Sequence, residues 1–126
     1  MIAAIEGRAH VHSEYALLAS VIVTAEGATF HDIPHFAGGI VPGDGIFTTW
    51  SYRAGAGRAE AFLLNPQPLT ARTAHEWGVV AEVVPNGKEL SRAAGSAVMQ
   101  RERRFLIKQA FGQASKCSKS AAAPAR

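Results

Sequence analysis

Val21-Ile22-Val23-Thr24-Ala25-Glu26-Gly27-Ala28-Thr29-Phe30-His31-Asp32-Ile33-Pro34-His35 is the stretch that sets the architecture of this chain. The β-branched run Val21-Ile22-Val23 reads as a strand ending at Glu26-Gly27, and Thr29-Phe30 reads as a second, short one. The chain then enters residues 31–45, which carry Pro34, Pro42 and four glycines and follow neither a helical nor a strand period. Long irregular connections in compact domains are usually functional or disordered. Ile33, Phe36, Ile40 and Val41 supply enough apolar surface to argue against disorder here.

Upstream, Met1 to Ile5 is an apolar run stopped by Gly7 and reads as a buried strand. Ser13 is placed to cap a helix over Glu14-Tyr15-Ala16-Leu17-Leu18-Ala19, with Glu14 in the first turn, where the helix dipole favours negative charge. Downstream, Ile46, Phe47 and Trp50 have helical spacing within Gly45–Arg53, and Asp44 precedes them as a cap. A second helix reads from Arg58 to Leu64 and is ended by Pro66 and Pro68. Thr70 caps a third through Trp77, closed by Gly78 where a left-handed residue is wanted. Val79–Val84 reads as a strand, and a helix of decaying pattern starts at Glu89. Strand, helix, strand, loop, helices, strand, helix is an α/β order, with about three strands, too few for a complete sheet.

At 126 residues the chain is one domain, able to bury about two thirds of its unfolded surface. A single cysteine, Cys117, excludes a disulfide framework. No apolar run reaches the ~20 residues of a membrane span. Glu6, Gly7 and Arg8 close the first apolar run too soon for a signal peptide, so the expected location is cytoplasmic. The net charge of +3 hides an asymmetry: residues 1–92 carry −3 and residues 93–126 carry +6. Basicity confined to Arg101, Arg103, Arg104, Lys108 and beyond reads as a solvated helix face or extension, so nucleic acid is not the expected partner. Residues 1–93 are expected to form the core and 94–126 a basic helix and low-complexity tail, with 112–126 disordered for want of a large apolar residue after Phe111.

Four of the five histidines fall within residues 10–35. His10 and His12 alternate and would share one side of an extended chain; His31 and His35 bracket Asp32 and Pro34. A carboxylate beside an imidazole fixes its tautomer and supports the imidazolium, which makes a base able to activate water. His35 with Asp44 is the best candidate pair. The plainer reading makes Asp44 a helix cap and the histidines polar loop residues. A metal site from His10 and His12 with His31 or His35 is a further option, but Pro34 denies His31 and His35 a helical pairing, and no metal or cofactor is expected. Ser13 lacks the glycine elbow of a serine nucleophile.

The order of Ala3-Ala4-Ile5-Glu6-Gly7-Arg8-Ala9, Val21-Ile22-Val23-Thr24-Ala25, Thr29-Phe30, Ile33-Pro34-His35 and Gly39-Ile40-Val41-Pro42-Gly43-Asp44-Gly45 resembles the central segment of the crotonase, or enoyl-CoA hydratase/isomerase, superfamily. Leu69-Thr70-Ala71, Ala74, Trp77-Gly78-Val79-Val80 and Glu82-Val83-Val84-Pro85 extend the likeness, which covers about residues 2–93. It implies an α/β, partial crotonase-like ββα fold that lacks the family's N-terminal half, with its first strands, one oxyanion amide and part of the pocket wall. It also implies a homo-oligomer, although the usual helical trimerisation region is not recognisable beyond about Ala93.

The family's glycine triplet is replaced by Val11-His12-Ser13, and its two water-adding glutamates fall at Tyr15 and His35. His12-Ser13-Glu14-Tyr15, Asp32-Ile33-Pro34-His35 and the segment through Asp44 instead resemble the 6-oxocamphor hydrolase branch, which cleaves a carbon–carbon bond in cyclic β-diketones. That likeness implies that His35 with Asp44 activates water and that His12 helps bind a carbonyl oxygen or the enolate. The expected partner is a small-molecule β-diketone. A chain without the N-terminal half is expected to have little or no diketone turnover by itself. A non-catalytic remnant and a CoA-thioester hydratase/isomerase with an altered site are the alternatives.

Overall fold

The computed structural model describes residues 1–65 and 67–98, and the expectations for the basic tail fall on residues outside that set. Two compact units divide the chain at Ala94 and Gly95. In the first, β1 (Ile2–Ile5), β3 (Val21–Ala25) and β6 (Glu82–Val84) form a parallel sheet in the order β1-β3-β6. A second small sheet pairs β2 (Arg8–Ala9) parallel to β4 (Thr29–Phe30), and β4 antiparallel to β5 (Leu69–Thr70). Helices α1 (Glu14–Leu17), α2 (Ile46–Ala54), α3 (Ala56–Leu64) and α4 (Ala71–Glu76) complete it, and residues 89–94 are helical. Of the second unit, residues 95–98 are described and are helical. The architecture is the α/β crotonase-like one expected. Among the described residues no helix is long and apolar enough to cross a membrane.

Parallel strands need apolar cover, and Val21–Ala25 supplies it: Ile22, Val23 and Ala25 are buried. The helix boundaries follow local chemistry. Thr70 Oγ1 accepts the Thr73 N–H at 3.2 Å, and Gly78 takes φ +79°, as the sequence predicts for the two ends of α4. Three expectations change. The described strands number six rather than about three, because Arg8–Ala9 and Leu69–Thr70 flank Thr29–Phe30 in the second sheet. The strand over 79–84 shrinks to β6, because Val79 and Val80 turn their amides back onto the Ala74 carbonyl and bury their side chains. The helix over 14–19 shrinks to one turn, and Ser13 makes no side-chain cap.

Ser13 has another partner. Trp50, wholly buried in α2, donates its indole N–H to Ser13 Oγ at 3.0 Å. Its ring stacks on Phe62 of α3 with centroids 3.8 Å apart and meets Phe30 of β4 edge-on at 5.7 Å. Arg53 then ties α2 to the end of α1 through the Leu17 and Ala19 carbonyls. Trp50 thus joins both helices to the small sheet and to the turn that carries His12. Trp50→Ala is expected to lower unfolding free energy by about 3–5 kcal/mol in urea titration, the range for truncating a buried aromatic; a loss below ~1 kcal/mol would contradict this placement.

Candidate active site

His12, His35 and Asp44 come from three separate segments: the turn before α1, the loop after β4, and the residue pair preceding α2. Asp44 Oδ1 accepts the Ile46 N–H at 3.1 Å, so it holds the first turn of α2 while Gly45, at φ +101°, makes the bend. Its other oxygen, Oδ2, lies 3.4 Å from His35 Nε2 and 3.5 Å from His12 Nδ1. The structure therefore brings the three predicted residues together around one carboxylate oxygen, and Asp44 does more than cap a helix.

The partner that sets the His35 tautomer is not Asp44. Asp32 Oδ1 sits 2.7 Å from His35 Nδ1, a charge-assisted length, and the Asp32 side chain is 1% exposed. Nδ1 thus donates to Asp32, and Nε2 is the nitrogen free to take a proton. The Asp32 hydrogen bond raises the His35 pKa above its ordinary value; burial opposes it, and the charges of Asp32, Asp44 and Glu14 add to the rise. His12 has the same design: Glu14 Oε1 lies 2.7 Å from His12 Nδ1, with the Glu14 side chain 4% exposed. His12 has φ +55° and its ring stacks on Tyr15 at 5.2 Å.

Sequence reasoning missed both buried carboxylates. Asp32 stood beside Pro34 as a loop residue, yet its spacing of three from His35 was the available signal. Glu14 read as a first-turn acid favoured by the helix dipole, with no side-chain partner assigned. The metal option of His10 and His12 with His31 or His35 does not assemble among the described residues: His10 Nε2 is held by Thr29 Oγ1 at 2.8 Å, and His31 Nε2 donates to the Asn65 carbonyl at 3.2 Å. The two rings meet edge-on at 5.8 Å, and burial, His31 and Arg8 lower the His10 pKa. Among the described residues the donor atoms that do gather, within 4.8 Å of one another, belong to His12, Glu14 and Asp44. A cation there would compete with the His12–Glu14 hydrogen bond.

Beside the site the loop forms apolar walls. Phe36, Val41, Pro42, Phe47, Leu63 and Leu64, with Glu60, line a cavity of about 250 Å³. A second of about 310 Å³ shares Phe36, Leu63 and Leu64 and reaches Asp32. Of the apolar loop residues that argued against disorder, Ile33, Phe36 and Val41 are thus pocket wall, with Phe36 adjacent to His35 in sequence.

The sequence profile described as enoyl-CoA hydratase/isomerase matches residues 1–120, reaching past residue 93 into the basic segment that had read as unrelated. The 2,3-dehydroadipyl-CoA hydratase of Escherichia coli is 32% identical over 123 residues, 97% of this chain and 48% of that protein. A solved β-diketone hydrolase from the cyanobacterium Anabaena, bound to (S)-3-oxocyclohexyl acetic acid, is 36% identical with a TM-score of 0.69, covering 85% of this chain and 46% of its own. An enoyl-CoA hydratase structure from Mycobacterium tuberculosis is 34% identical with a TM-score of 0.71, over 78% of this chain and 39% of its own. The chain spans between 36% and 48% of the length of the curated relatives it matches.

The raised His35 pKa has a signed consequence for stability. A folded-state pKa above the unfolded value of ~6.5 gives stabilisation that is complete below that value and is lost as pH rises through the folded pKa. Urea unfolding of the chain and of Asp32→Asn between pH 5.5 and 9 is expected to show the largest stability difference at the acid end, shrinking as pH rises. A difference that stays constant across the range would contradict the Asp32–His35 pairing.

Proposed function

Because the chain belongs to the enoyl-CoA hydratase/isomerase family, we propose that it carries the water-activating part of a family member that splits a carbon–carbon bond of a β-diketone. The observation that carries this reading is the chain of contacts Asp32–His35–Asp44. An imidazole held by a buried carboxylate presents its other nitrogen beside a second, part-exposed carboxylate oxygen. A water bonded to both His35 Nε2 and Asp44 Oδ2 loses a proton to Nε2 as it attacks one carbonyl carbon. The tetrahedral intermediate then breaks its bond to the carbon between the carbonyls. The bonding electron pair passes into an enolate, whose oxygen His12 stabilises. The imidazolium of His35 returns its proton to the enolate carbon, and the product is a keto acid.

Two further features support a diketone over a thioester. The positions of the family's water-adding glutamates are Tyr15 and His35. The neighbouring cavity is lined by Phe36, Val41, Pro42 and Phe47, which suits a compact carbocycle. The molecule bound to the Anabaena hydrolase, a cyclic ketone with an acetic acid arm, is of the class that opening a bicyclic β-diketone releases. The second reading is hydration of an enoyl-CoA. It is favoured by the name of the Escherichia coli relative and by one carboxylate, Glu14, buried next to Tyr15. Its commitment to His12 at 2.7 Å is what sets that reading second.

The test is an assay of the purified chain on a bicyclic β-diketone and, separately, on crotonyl-CoA, beside His35→Ala. Slow release of keto acid that falls to the buffer rate in the variant is expected, with general acid–base loss of the order of 10²-fold or more. Diketone cleavage that persists unchanged in His35→Ala, or His35-dependent hydration of the thioester, would overturn it.

A further inference from the structure

Two carboxylates compete for one nitrogen of His12. Glu14 Oε1 is 2.7 Å from Nδ1 and Asp44 Oδ2 is 3.5 Å away, so the first distance is a short charge-assisted hydrogen bond and the second lies at the outer limit of one. The two acids are unequally placed. Asp44 is 26% exposed in its side chain and already holds the Ile46 amide through Oδ1. Glu14 is 4% exposed, and its Oε2 is buried with no hydrogen-bond partner among the described residues. A buried carboxylate with one oxygen unpaired depends heavily on the proton its other oxygen receives. That proton is the one on His12 Nδ1.

We propose that Glu14 is a positioning residue: it takes the Nδ1 proton of His12, fixes the ring so that Nε2 is the atom offered to substrate, and leaves Asp44 to His35. The arrangement repeats at His35, where Asp32 stands 2.7 Å from Nδ1, is 1% exposed, and also has an unpaired buried oxygen, Oδ2. Each imidazole is thus backed by its own buried acid, and Asp44 lies between the two rings. The backbone agrees with the role. His12 alone among the described non-glycine residues has positive φ, which places its ring over Tyr15 and within reach of a side chain two residues on. A further consequence is that His12 Nε2 carries a proton for an enolate oxygen only when the ring is cationic, since Glu14 keeps the Nδ1 proton in the neutral ring. This last step rests on the proposed diketone chemistry; the tautomer does not.

Long-range proton–nitrogen NMR of the full, nitrogen-15-labelled chain at pH 9 separates the two. The wild-type His12 is expected to show a protonated Nδ1 and an unprotonated Nε2. In Glu14→Gln the acceptor at Nδ1 loses its negative charge, and the population is expected to move several-fold toward the Nε2–H form. Asp44→Asn is expected to leave the His12 tautomer in place, and an unaltered His35 pattern in Glu14→Gln reports that the fold is retained. A wild-type His12 protonated at Nε2, or a tautomer that responds to Asp44→Asn and not to Glu14→Gln, would overturn the role. If Glu14→Gln does not fold, the wild-type tautomer and the Asp44→Asn spectrum decide. Loss of diketone turnover together with the expected tautomers would count against the diketone reading alone.

Discussion

One hydrogen bond, from the Trp50 indole to Ser13 Oγ, joins the two segments on which the site depends. Ser13 lies between His12 and Glu14, and Trp50 lies one turn into the helix that Asp44 starts. Thirty-seven residues separate the partners, so the contact closes a long loop and its geometry is bought by the aromatic stack around Trp50. With the indole locked between Phe30 and Phe62, the start of α2 cannot slide relative to the turn before α1. That is why Asp44 Oδ2 can stand at nearly equal distance from two imidazoles carried by different segments.

Electrostatics completes what packing begins. Three carboxylates, Glu14, Asp32 and Asp44, surround two imidazoles, and two of the three acids are almost wholly removed from water. Negative charge held next to an imidazole at low solvent exposure favours its protonated form, which is the direction found for His35.

Much of this was legible in the sequence, and the parts that were not have physical reasons. The β-branched run at Val21–Val23, the Thr70 cap and the left-handed Gly78 are local signals, fixed within a few residues, and the structure has them where they were expected. Residue chemistry already offered His35 with Asp44, and a family likeness added His12, since no periodicity brings those three segments together. The spacing of three hinted at Asp32 for His35, but nothing in spacing assigned Glu14 to His12. Glu14 looks like an exposed helix-start acid until α1 proves to be a single turn packed against α2. Asp32 looks like a turn residue until the loop folds back and buries it. Val79 and Val80 read as strand by β-propensity, but tertiary packing used them as core within a turn.

As the proposed base, His35 stands between two carboxylates with separate tasks, Asp32 holding Nδ1 and Asp44 acting across Nε2. The most direct measurement is the NMR titration of His35 in the chain and in Asp44→Asn. The His35 pKa is expected to fall in the variant while Nδ1 stays protonated against Asp32 in the neutral ring. An unchanged pKa, or a ring that gives up its Nδ1 proton, would show that Asp44 does not act on His35 and that the water-activating site is not built as described.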